Sequence, residues 1–398
     1  MSELPSVGIG LVGAGFLART RARCYAKAAG VHARLAAVCS STPQKAADFA
    51  ARHGVTSACS DLDELLACED VQLVDLCVPN HLHRPFAERA TAAGKHVACT
   101  KPLSAYVGQD LPDGTPDADV SAVPRAQMLE RATADAAAMV AAARRHGVQL
   151  MYGENWVYAP AIRRALDLVA TSRGAVLELR GWEGHSGSHS AYSKLWRYAG
   201  GGALLRLGAH PLGAMLHLKR LEGEARDGRP ILPVAVTAEV ADVTPAAEAA
   251  QAVTELATGW VDVESWGCAI VAFDDGSRAV AYGSDTLLGG MQSRLEVMGS
   301  NFQLACNLSP HDLLRAYAAR PEVFADLHVM EKAGTPAGWN TFLPDEDWTS
   351  GQVDMCHDFA LAAAEGRPAL SGGELGLEVT RLIYSAYVSA AEGQRIAL

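Results

Sequence analysis

The chain has 398 residues, 49% of them hydrophobic and 20% charged, which is more than one hydrophobic core usually holds, so an ordinary globular protein of two domains is expected. The formal charge is −11 with no Lys/Arg-rich run, which argues against a nucleic-acid partner, because a phosphate backbone calls for a concentrated basic surface. Apolar segments such as 132–143 are too short to span a bilayer and residues 1–6 lack the basic start and apolar core of a secretory signal, so no membrane partner and a cytoplasmic location are expected.

Val7, Ile9, Leu11 and Val12 form an apolar run that stops at Gly13 and Gly15 and is followed by an Ala/Arg segment without Gly or Pro until Gly30. This reads as strand, tight turn and helix, with Gly13, Gly15 and Ala18 in the G-x-G-x-x-G/A spacing of a dinucleotide-binding turn. Gly13 suits the sharp turn, Gly15 carries no Cβ to hold a pyrophosphate away, and Ala18 lets the helix lie close on the strand; Phe16 and Leu17 belong to the same cofactor-contacting step. A second strand, 34–38, comes at the spacing of a βαβ unit. After it, residues 39–42 place Ser40 and Ser41 where an acid often meets the adenosine ribose, and no acid appears before Asp48. Small hydroxyls with Lys45 and Arg19 nearby favour NADP over NAD, the alternative being plain loop residues of an NAD enzyme.

Residues 71–78 read as another buried strand, ending in Pro79, Asn80, His81, Leu82 and His83. Ligands collect at such carboxyl ends, so Pro79, Asn80 and His83 are candidate cofactor contacts. The strand 96–99 ends at Thr100-Lys101-Pro102, which projects Lys101 from the same edge. Residues 107–124, rich in Pro, Gly and Asp, read as an inserted loop; helix 126–146 and strand 148–152 then complete a first domain, 1–153. In the second domain, 154–398, strand-like segments at 175–182, 234–243, 260–273, 277–283 and 293–299 predict an open, mostly antiparallel sheet. Helices 159–171 and 209–219 would cover one face, a partner subunit the other, and helices 353–364 and 376–391 close the chain. The fold class is therefore α/β, a Rossmann domain followed by an α/β domain. The nine cysteines form no C-x-x-C pair and read as reduced core thiols.

The glycine turn 13–18, the strand end 79–83, the Lys101-Pro102 pair and the run Gly201-Gly202-Ala203-Leu204-Leu205-Arg206-Leu207-Gly208-Ala209-His210-Pro211 together resemble the glucose-fructose oxidoreductase / inositol dehydrogenase / rhizopine-catabolism (Gfo/Idh/MocA) family. The resemblance covers nearly the whole chain, the loop after Ser104 excepted. It implies an NAD(P)-dependent oxidoreductase of sugars, inositols or related polyols, a Rossmann domain, and a second domain whose open sheet makes a homodimer or homotetramer. It makes Lys101 the lysine of the family's Glu-Lys-Pro motif, a cofactor and catalytic residue, and His210 the histidine of its Asp-x-Gly-x-His motif. Thr100 stands in place of that Glu and Arg206 in place of an Asp that often supports the histidine.

Oxidising a secondary alcohol needs a base at the hydroxyl and a positive group beside the developing alkoxide. His210 suits the first task and Lys101 the second, with the roles open to exchange. Arg206, whose planar fork matches a carboxylate, reads as a structural ion-pair partner or a substrate clamp, and the second reading puts sugar acids among the substrates to test. Asn155 and Trp156, directly after the last Rossmann strand together with Glu154 and Tyr158, and the polar segment holding His185 and His189 are candidate substrate contacts. The two histidines lack an acidic or cysteine ligand at a telling spacing, so no metal site is expected. Two other functions stay open: redox-neutral glycoside cleavage or epimerisation through transient oxidation by tightly held NAD, and a non-catalytic nucleotide-dependent sensor.

Overall fold

The computed structural model describes residues 4–188, 190–251, 253–309, 314–324, 335, 337–341 and 345–398. They fall into two compact units that are interleaved along the chain rather than consecutive as expected. The first comprises residues 1–105, 130–158 and 351–381, the second 106–129, 159–350 and 382–398.

The first unit holds a parallel sheet of β1 (Ser6–Val12), β2 (His32–Cys39), β3 (Ser57–Cys59), β4 (Leu73–Leu76), β5 (His96–Thr100) and β6 (Leu150–Gly153), in the order β3-β2-β1-β4-β5-β6. Six of the seven β1 residues are buried, as a parallel strand covered on both faces requires, which is why its sequence is a near-continuous apolar run. The helix Pro43–His53 starts from Thr42, whose side chain accepts the Lys45 N–H at 3.3 Å, and Pro43 takes the first-turn position that needs no N–H donor. The late helix Gln352–Glu365 packs on β1 and on the helix Phe16–Ala26. There Arg21, 1% exposed, lies 3.5 Å from Asp75 and donates to Gln352 Oε1 at 2.9 Å, while the Tyr25 hydroxyl donates to Asp75 at 2.9 Å. This pairing offsets the desolvation of two buried charges. No sequence pattern announced the contact of Arg21 with Gln352, because the two are more than 300 residues apart.

The second unit contains β7 (Val176–Gly184), β8 (Pro233–Ala241), β9 (Trp266–Phe273), β10 (Arg278–Ser284), β11 (Gln292–Gly299), β12 (Gln303–Asn307), β13 (Arg315–Ala318), β14 (Gly338–Thr341) and β15 (Ile396–Ala397). Seven of them form one sheet in the order β12-β11-β7-β10-β9-β8-β15, antiparallel except where β7 meets β10; β13 and β14 pair by themselves. The helix Ala209–Asp227 lies on one face: a Cβ at Gly181 would meet Met215 Cε at 2.8 Å and Pro211 Cβ at 2.9 Å, so β7 needs a glycine there for the helix to sit this close. On the other face Trp182 and Tyr282 stack with centroids 5.7 Å apart, and Ile270 is 48% exposed.

Two expectations need correction. The segment 107–124 is not structureless: it contains the short helix Asp117–Ser121 and belongs to the second unit. The Trp196 indole donates to the Tyr106 carbonyl at 3.1 Å, the Tyr106 N–H donates to the Tyr384 hydroxyl at 2.7 Å, and Arg197 pairs with Asp117. Tertiary contacts of this kind order a segment whose composition alone reads as loop. The strand expected from Trp260 begins only at Trp266, because residues 260–265 bend; Asp262 there accepts the Trp196 N–H at 2.6 Å.

Candidate active site

The turn after β1 is built by two glycines with different duties. Gly13 has φ +114°, donates its N–H to the Cys39 carbonyl at 2.8 Å, and leaves no room for a side chain, since a Cβ would lie 2.4 Å from the Cys77 carbonyl. Gly15 caps the helix Phe16–Ala26 at ordinary φ, and a Cβ there would meet nothing within 4 Å. Its missing side chain therefore serves no internal packing, and the space is left for a ligand at a helix start that has no side-chain cap and no acid in its first turn. Beside it lies a cavity of about 760 Å³ walled by Gly13, Gly15, Ser40, Ser41, Lys45 and Pro79 of the expected residues, and by Asp61, Asp63, Leu82, Phe86 and Arg89, which sequence reasoning missed. Lys45 Nζ donates to the Ser41 hydroxyl at 3.3 Å, Asp61 accepts the Glu64 N–H at 2.9 Å as a helix cap, and Asp63 pairs with Arg89. The shape and the donors of this wall fit a dinucleotide.

Phe16, Leu17, Ala18, Asn80, His83 and Lys101 are not part of that wall. Phe16 is 63% exposed, whereas Ala18 is buried, as the close helix requires. His83 is a correction. Its buried ring lies between backbone carbonyls, Nε2 3.0 Å from Val78 O and Nδ1 3.0 Å from Pro102 O, so it ties the segment after β4 to the turn after β5 instead of facing a cofactor. Burial pushes its pKa below the usual histidine value despite these carbonyls.

Lys101 stands at the end of β5, half-buried, and its charge acts on Glu154, just beyond β6. Burial drives the Glu154 carboxyl well above the ordinary range, opposed by the Trp156 N–H donated to Oε1 at 3.1 Å and by Lys101. Asn155 is buried too, and Trp156, a candidate substrate contact, is 1% exposed. The turn they occupy is anchored by Tyr158, which donates to Asp358 at 2.9 Å and accepts the Ser371 N–H at 2.9 Å.

In the second unit His210 lies in the first turn of the helix Ala209–Asp227, 6% exposed, with Nε2 3.6 Å from Glu183 Oε1. Ser293 of β11 donates to the other oxygen of Glu183 at 3.0 Å. The approach to this helix is pinned by buried Glu264, which accepts the Gly202 and Leu204 N–H groups, each at 2.9 Å, and the Tyr387 hydroxyl at 2.8 Å. Arg206 is a second correction: its fork is taken by Asp285 through both terminal nitrogens, and the guanidinium lies 5.1 Å from the Trp260 ring. A clamp already holding a buried carboxylate is not set for a substrate's acid. His185 Nδ1 accepts the Gly187 N–H at 2.9 Å, while His189 lies outside the described residues. Among the described residues no group of three or more His, Cys, Asp or Glu side chains could hold a metal ion.

Comparison with known proteins bears on this arrangement directly. Residues 7–110 match the GFO_IDH_MocA oxidoreductase family, NAD-binding Rossmann fold, and residues 162–305 match the GFO/IDH/MocA C-terminal domain. The chain belongs to the Gfo/Idh/MocA family. This family member is 32% identical over 108 residues to levoglucosan dehydrogenase of Pseudarthrobacter phenanthrenivorans, covering 25% of this chain and 27% of that one. It is 30% identical over 206 residues to 1,5-anhydro-D-fructose reductase of Ensifer adhaerens, covering 50% and 53%. The matches thus span between about a quarter and about half the length of these curated relatives. Among solved structures, GenD2 from gentamicin A biosynthesis in complex with NAD superposes with a TM-score of 0.78 at 26% identity, over 100% of this chain and 98% of that one.

Proposed function

We propose that this Gfo/Idh/MocA chain is a dehydrogenase or reductase that exchanges a hydride between a nicotinamide dinucleotide and a secondary alcohol of a small sugar or inositol-type polyol. The observation that carries the reading is the space beside Gly15, kept by a glycine that nothing in the fold requires to be one, at the mouth of a cavity lined with hydroxyls and Lys45. Relatives named as sugar reductases and dehydrogenases support the substrate class. Sugar acids lose their motive once Arg206 is paired with Asp285. NADP is the proposed nucleotide: Asp61 and Asp63 are held by a helix N–H and by Arg89, whereas Lys45 meets only the hydroxyl of Ser41 among its described contacts and can receive a 2′-phosphate.

The dinucleotide, when bound, supplies the hydride acceptor. His210 takes the hydroxyl proton, and Lys101 orients the oxygen and stabilises its developing negative charge. In the reverse direction the same groups return the proton to the carbonyl oxygen. A homo-oligomer built through the exposed sheet face completes the proposal.

A panel of sugars, inositols and uronates followed at the nicotinamide absorbance with NAD and NADP tests it. The expected result is turnover of a neutral polyol or sugar with NADP bound more tightly. On that substrate Lys101→Met should lower kcat and raise KM together, and His210→Asn should lower kcat by about 10²- to 10⁴-fold with binding retained. NAD bound tenfold tighter than NADP refutes the nucleotide preference. Both variants turning over within about threefold of wild type would place the chemistry elsewhere.

A further inference from the structure

Along β7 side chains alternate between the two faces of the sheet: Leu179, Gly181 and Glu183 are buried on the helix-covered side, while Arg180 is exposed and Trp182 half-buried on the other. A carboxylate on the buried side is costly unless something answers its charge. Ser293 gives it one hydrogen bond, and the ring that faces its other oxygen is His210. The motif position from which an acid commonly supports this histidine is occupied by Arg206, itself committed to Asp285.

We propose that Glu183 is the positioning carboxylate of His210, the acid having moved from the helix approach to the neighbouring strand; this rests on the reading of His210 as the proton acceptor. Facing Nε2, Glu183 favours the tautomer protonated there, which gives the lone pair and the proton abstraction to Nδ1, and it stabilises the imidazolium formed when the substrate proton arrives. Charged or titratable groups near this part of the sheet include Arg206, Asp285, His185 and Glu264. Arg206 and Asp285 pair with each other, His185 accepts the Gly187 N–H at Nδ1, which also stands 3.6 Å from Asp285, and burial pushes the Glu264 carboxyl above its ordinary range. Glu183 stands at ion-pair distance from the His210 ring itself.

The experiment follows the His210 imidazole by NMR pH titration in the apo full-length chain and in Glu183→Gln and Glu183→Asp, alongside kcat and pH profiles on the substrate found by the panel. Glu183→Gln should move the His210 titration to lower pH by about half a unit or more, since an opposite charge is removed. It should also shift the limb of the rate profile that reports neutral His210 the same way and lower kcat about tenfold with KM little changed. Glu183→Asp, which keeps the charge, should titrate between the two, and it carries the test if the amide variant does not fold. An unshifted His210 titration in a folded variant, with His210→Asn still inactive, overturns this inference alone. Wild-type turnover in His210→Asn overturns the active-site reading beneath it.

Discussion

His217, seven residues beyond the proposed catalytic histidine on the helix Ala209–Asp227, is 5% exposed, and its Nε2 finds no hydrogen-bond partner among the described residues. Burial, reinforced by Arg163 and Arg220, pushes its pKa down to about 4. The folded state therefore keeps this ring neutral while the unfolded chain protonates it near 6.5, so its stabilising contribution is complete above pH 6.5 and is lost as pH falls towards 4. The loss amounts to about 3 kcal/mol, an order-of-magnitude figure for a depression of this size. Urea unfolding at pH 7 and pH 4.5 should show His217→Leu losing less stability on acidification than wild type by about 2 to 3 kcal/mol; parallel losses would contradict the assignment. At this scale the sequence reveals a residue's chemistry better than its partners. Lys101 and His210 stand out as candidates because they sit in short motifs, whereas the choice between ion-pair partner and substrate clamp for Arg206 stayed open because Asp285 lies 79 residues away. Glu183 had a signal that went unused: in the alternating run of β7 it falls on the side of Leu179 and Gly181.

Elements were more legible than residues where their own periodicity decides the structure. The glycine turn, the first two strands and the helix at the end of the Rossmann sheet follow from local pattern, since each buries the face its spacing defines. β3 was missed because Ser57–Cys59 has three residues and no apolar run, its pairing supplied by β2. The turn itself gives a paired prediction. Gly15→Val should leave the unfolding midpoint near wild type, as a Cβ meets nothing there, yet weaken NADP binding in calorimetry by at least about tenfold, or ~1.4 kcal/mol. Gly13→Ala should instead destabilise the fold by about 2 kcal/mol or more, because both the φ of +114° and the Cys77 carbonyl oppose a Cβ. Equal nucleotide affinity in Gly15→Val and wild type would remove the turn from the cofactor site.

For the molecule as a whole, the face of the second sheet opposite the helix Ala209–Asp227 carries the Trp182–Tyr282 stack and Ile270, which is 48% exposed. If a second copy covers this face, Ile270→Arg should convert the oligomer to monomer in light scattering, because a buried guanidinium would lack a partner. An unchanged mass would assign the face to solvent. The order in which the chain is made matters as well. It leaves the first unit after residue 105, returns for 130–158, and comes back once more for 351–381. The helix Gln352–Glu365, which covers Arg21, is therefore made more than 300 residues after Arg21. While the residues between are being made, the nascent nucleotide-binding unit carries Arg21 and Asp75 without that helix over them. The first unit can close only after segment 159–350 of the second has been made, and the nascent chain is a natural client for a chaperone that shields unfinished surfaces.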